Sequence, residues 1–76
     1  MQTIYDVIRF LAAAEETKLR TDRIEALNQF LVSNRKRPLS VGKQGELLYE
    51  LSKHQPEDER NQCTIIFLRK HHHLDI

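Results

Sequence analysis

Ile4, Val7, Ile8 and Leu11 recur at i, i+3, i+4 and i+7, and this spacing limits the available folds more than any other feature of the chain. A strand would send these side chains to both of its faces, whereas a helix gathers them into one apolar stripe. Thr3 stands before the stripe as an N-cap, with Asp6 three residues on where a capping box more often has Glu or Gln. Tyr5 and Phe10 flank the stripe and widen it. Ala12, Ala13 and Ala14 favour continuation, and Glu15 with Lys18 adds an i, i+3 pair. The pattern predicts a first helix that runs to about Lys18.

Asp22 and Glu25 read as a second capping box, opening a helix whose apolar face is Ile24, Leu27 and Leu31 with Phe30 beside it. Pro38 disfavours helical geometry at Arg37, so this helix should end at Ser33-Asn34 or in the basic residues that follow. So short a connection makes the first two helices antiparallel neighbours. Ser40 is the expected N-cap of a third helix buried through Val41, Leu47, Leu48 and Leu51. Gly42 and Gly45 each cost ~1 kcal/mol relative to Ala inside a helix, which allows a start as late as Gly45.

Pro56 followed by Glu57, Asp58 and Glu59 suits a helix start, and Arg69 to His73 suit a helix end. Yet Thr64 to Phe67 is β-branched and aromatic, and Ile65, Ile66, Phe67 and Leu68 cannot all lie on one helix face. Helix is favoured, with a strand over 63–69 that pairs in a dimer as the alternative. No internal repeat stands out. The expected fold is a single all-α domain over 1–76, a small bundle of three to four helices.

Composition narrows the function. At 39% hydrophobic and 30% charged, the 76 residues are too apolar for a disordered chain. The single cysteine, Cys63, cannot close an internal disulfide, which points to a reducing compartment. No apolar run approaches the ~18 residues of a membrane span, and Met1 to Leu11 lacks the pattern of a signal peptide. A cytoplasmic protein without membrane contact is expected. A core of this size supplies only ~3–5 kcal/mol, which leaves little to hold a strained catalytic cleft. Function through an interface follows, as does a homodimer that buries Ile65, Ile66, Phe67 and Leu68.

The net charge of +1 conceals a basic link over 35–43, where Arg35, Lys36, Arg37 and Lys43 stand without an acid. These four are the candidate contacts for a partner or for phosphates. The overall pI of about 8.0 and the acids Glu46 and Glu50 on the next helix weigh against strong nucleic-acid binding. Gly42 and Gly45, with Lys43 between them, form a G-x-x-G that resembles the phosphate-approaching loop of KH domains. That fold needs strands around its helices, and none precedes this loop, so the stretch is read as a helix start. A Walker loop is absent.

His71, His72 and His73 offer imidazoles, but successive helical side chains point about 100° apart and cannot close on one ion. Cys63 has no C-x-x-C partner and reads as a small buried hydrophobe, while His54 reads as a base at the end of the third helix. The histidine run is expected to be a solvated helix end, so neither a metal nor a cofactor is assigned. No catalytic motif is present. The expected function is a non-enzymatic regulator, adaptor or inhibitor that binds a larger protein, in the manner of phage or plasmid accessory proteins. The alternative is a nucleic-acid-binding regulator that uses 35–43 and the adjacent helix.

Overall fold

The computed structural model describes residues 2–74. It contains four helices: α1 (Ile4–Ala12), α2 (Thr17–Ser33), α3 (Val41–Ser52) and α4 (Glu57–Lys70). No strand occurs among the described residues. α1 packs on α2 and α4, and α3 packs on the same two helices, so the four enclose one core. The stripe Val7, Ile8 and Leu11 lies in that core with Ile24, Leu27, Leu31, Leu47, Leu51 and Leu68. Among the described residues, no helix is long and apolar enough to cross a membrane.

The predicted starts hold where a side chain caps a backbone amide. Thr3 and Asp6 form the reciprocal capping box, with Thr3 N–H donating to Asp6 Oδ2 at 2.8 Å. These Thr3 contacts hold the Asp6 carboxyl below its ordinary pKa. Ser40 caps α3 through the Lys43 amide at 3.2 Å. That helix begins at Val41, not at Gly45, and Val41 is 87% exposed, outside the face assigned to it.

The first helix ends earlier than its alanines suggest. α1 stops at Ala12, and α2 has already begun at Thr17, so Asp22 and Glu25 lie inside α2 and open nothing. The cause is a set of arginines drawn to the carbonyl end of α1. Arg23 Nη1 donates to the Phe10 carbonyl at 2.8 Å, Arg60 Nε to Ala12 at 2.7 Å and Arg20 Nε to Ala14 at 2.9 Å. The last carbonyls of a helix lack backbone partners and carry its negative dipole end. Arg23 and Arg60 satisfy two of them, Arg20 braces the turn just beyond at Ala14, and alanine's helix propensity, a few tenths of a kcal/mol per residue, loses.

Residues 63–69 are helical, so the strand alternative is corrected. Thr64, Phe67 and Leu68 face the core at helical spacing, Ile65 packs partly against it, and Ile66 is 60% exposed. The run is too wide for one face, and it wraps mainly around the chain's own core with Ile66 left outside. β-Propensity yields here because burial of Phe67 and Leu68 outweighs it.

α2 and α4 end in the same way. Arg35 and His72 take left-handed backbone conformations, at φ 59° and 65°. Beyond them, Lys36 N–H returns to the Leu31 carbonyl and His73 N–H to Leu68, each at 2.8 Å. These are Schellman closures with Arg and His where glycine is usual. Left-handed geometry costs a side-chain-bearing residue ~1–2 kcal/mol, partly offset by the extra chain freedom glycine loses on folding. Arg35→Gly and His72→Gly should therefore each stabilise the fold by about 0.5–1 kcal/mol, raising the melting temperature roughly 2–8 °C in a domain this small. A calorimetric scan that shows either variant melting lower would contradict the assignment.

The chain also proves to be two similar hairpins. α1–α2 and α3–α4 each consist of a shorter helix, a four-residue turn (13–16 and 53–56) and a longer helix. One offset relates Val7 to Leu47, Leu11 to Leu51, Arg20 to Arg60 and Leu27 to Phe67, and all eight are buried. The turns are braced alike: Arg20 reaches the Ala14 carbonyl, and Arg60 Nη1 reaches His54, which holds the matching position, at 3.3 Å. Arg60 Nη1 also donates to the Gln55 carbonyl. The repeat escapes a reading of the sequence because Leu11 with Leu51 and Arg20 with Arg60 are the only identical pairs at this offset.

Candidate functional site

The basic link and the histidine run meet at one end of the molecule. Asn34 to Arg37 and His72 with His73 line a small depression there. His73 is buried, and its Nδ1 lies 2.7 Å from the Arg37 carbonyl oxygen. A carbonyl only accepts, so Nδ1 carries the proton. The expectation of three solvated imidazoles is thus corrected for His73. Leu39 anchors the link from inside: it is buried, its N–H donates to Asn28 Oδ1 at 2.7 Å, and its carbonyl accepts from Asn28 Nδ2 at 3.1 Å.

This end joins the C-termini of α2 and α4, whose dipoles favour cations. Arg35 and Arg37 are exposed there beside half-buried Lys36, and the same dipoles oppose a phosphate. Lys43 lies in the first turn of α3, 3.0 Å from Glu46. Of the four basic candidates, Arg35, Lys36 and Arg37 line the depression and Lys43 does not.

A larger feature lies between α3 and α4. A groove of about 790 Å³ runs between one stripe of α3 (Glu46, Tyr49 and Glu50) and one stripe of α4 that includes Glu59, Cys63 and Ile66. Helical periodicity sets both rows, since residues three or four apart share a face. Tyr49 and Ile66 are 63% and 60% exposed, and Phe67 forms part of the floor. Ile66 is the one member of the expected dimer run left on the surface; Phe67 and Leu68 are buried within the chain.

The rim is acidic. Glu46, Glu50, Asp58 and Glu59 line the groove, against Lys70 as the lysine among its lining residues. Lys43 and Lys53 approach Glu46 and Glu50 at 3.0 and 3.4 Å, but these are exposed pairs that contribute ~0–1 kcal/mol and are readily exchanged. Lys53 also stands 4.5 Å over the Tyr49 ring. At the end of the groove His71 tilts against Phe67, ring centres 4.6 Å apart. Desolvation, then the Lys43 charge, hold the His71 imidazole below its ordinary pKa.

Where the helices join, Glu50, His54 and Cys63 present ligand atoms that all lie within 4.8 Å of one another, each residue half-buried. Desolvation and the Glu50 charge push the Cys63 thiol up, with Lys53 opposing. The trio went unrecognised in the sequence, although Glu50 and His54 are spaced i, i+4 there. Cys63 joins them only because the turn at 53–56 folds α4 back beside α3.

No family model, curated protein or solved structure compared with this chain matches it.

Proposed function

We propose that the chain is a non-enzymatic binding module, an adaptor or inhibitor that docks a basic amphipathic segment of a larger protein in the groove between α3 and α4. One observation carries this reading: Tyr49 and Ile66 stand exposed within a groove edged by Glu46, Glu50, Asp58 and Glu59. Large exposed apolar side chains edged mainly by carboxylates mark an interaction surface. A helix with an apolar ridge fits such a groove, and flanking Lys and Arg would answer the carboxylates. The nucleic-acid alternative through 35–43 is less favoured, since two helix C-termini stand where phosphates would bind.

Fluorescence anisotropy at ~150 mM salt tests this with three probes: a Leu/Lys amphipathic helical peptide, its Leu/Glu counterpart, and a mixed-sequence DNA duplex. The Leu/Lys peptide should bind tightest. A double variant Tyr49→Ala/Ile66→Ala should weaken it about 10- to 100-fold, the loss of two interface anchors at roughly 1 kcal/mol or more each. Equal binding of the two peptides would overturn the proposal. Tighter binding of the duplex, lost on replacing Arg35, Lys36 and Arg37 with Ala, would establish the alternative instead.

A further inference from the structure

We infer that Glu50, His54 and Cys63 form a binding site for a transition-metal dication of the zinc class, with one coordination position open to the groove. The inference rests on these three side chains, which also line the groove, and does not depend on the docking reading. Their carboxylate oxygen, imidazole nitrogen and thiol sulfur lie within 4.8 Å of one another. Tetrahedral zinc with ordinary bond lengths would set such atoms about 3.3–3.6 Å apart, so side-chain adjustments of around 1 Å close the site. Mixed O, N and S donors suit zinc or cobalt; calcium and magnesium prefer oxygen alone. Three protein ligands leave a fourth position free, the arrangement of an open zinc centre.

The scaffold supports the arrangement. Cys63 lies within α4, and Glu50 within α3. His54 follows α3 in the turn, where its N–H donates to the Leu51 carbonyl at 3.3 Å and its own carbonyl accepts from Arg60 at 3.3 Å. Ligands on braced elements need little reorganisation to bind. Without a cation the site is unfavourable to ionisation, since desolvation and then the Glu50 charge oppose a thiolate at Cys63. A bound dication reverses that balance and releases the thiol proton.

The molecule also contains its own comparison. In the first hairpin, the positions that match Glu50, His54 and Cys63 are Phe10, Ala14 and Arg23. There the corner is closed: the Arg23 guanidinium lies 3.9 Å from the Phe10 ring centre and donates to the Phe10 carbonyl. A corner that needs only structure is filled by packing. The second hairpin has three ligand donors in the same places and a groove beside them.

Titration of the reduced protein with cobalt(II) tests the site. One equivalent should bind, with a near-ultraviolet thiolate-to-cobalt band, the visible absorption of tetrahedral cobalt, and proton release; zinc should displace it. Cys63→Ser should abolish the thiolate band. Partners behind a ligand are worth 10–100-fold in affinity, so losing a ligand through Cys63→Ser or His54→Ala should weaken binding by about a hundredfold or more. Lys53→Gln, which removes the cation now beside Glu50, should tighten binding roughly two- to fivefold. Replacing His71 and His72 with Gln should leave the spectrum unchanged. Absence of a thiolate band, or binding lost with His71 and His72 and retained in Cys63→Ser, would overturn the inference.

Discussion

Replacing Arg60 with Met should leave most of the chain unfolded at room temperature. The side chain is 3% exposed and donates to carbonyls of Ala12, His54 and Gln55, tying the end of α1 to the turn between α3 and α4. Met conserves much of the volume but donates nothing. Hydrogen bonds from a charged group contribute about 1.5–3 kcal/mol each, and buried acceptors left without partners add their own penalty. Even a partial loss of ~3–4 kcal/mol is comparable to the ~3–5 kcal/mol that a core of this size provides. Arg60→Lys should rescue little, because an ammonium is one compact donor group and cannot fork across separated carbonyls. Far-ultraviolet circular dichroism with urea titration gives the answer. A cooperative Arg60→Met transition within ~1 kcal/mol of the unsubstituted chain would refute the role.

Leu68→Ala should be as severe, while Ile66→Ala, two residues away, should cost less than ~1 kcal/mol. Leu68 is fully buried and Ile66 exposed. Removal of a buried leucine side chain costs about 2–5 kcal/mol, depending on how far the cavity collapses. The contrast also reports the conformation. In a strand, 66 and 68 would share a face and respond alike; in α4 they point apart. Comparable losses for the two, measured by thermal melting, would argue for the strand.

The fold was legible in the sequence wherever its cause was local. Thr3 with Asp6, Ser40 and Pro56 marked three helix starts because a cap or a fixed φ acts within one turn. The end of α1 was not legible, because Arg60, one of the two arginines on its last carbonyls, lies 48 residues away from Ala12. Propensity sees the alanines and not the guanidinium groups. The same limit applied to the candidate site. Glu50 and His54 were visible as an i, i+4 pair, but their relation to Cys63 depends on how α4 folds back. The basic run was conspicuous in sequence, yet much of its context is two helix ends and the buried Leu39.

The paired hairpins have a consequence for how the molecule is held together. α1 packs on α4 and α3 on α2, the corresponding pairs of the two hairpins, with α1 and α4 the more closely joined. Matched pairings of this kind are those that an isologous association of two separate hairpins would make. Covalent continuity through 34–40 then contributes chiefly proximity, a high local concentration of each half for the other. It leaves the second hairpin freer to diverge: one half can keep a corner closed by arginine on phenylalanine, while its counterpart opens a groove, and the shared core supports both.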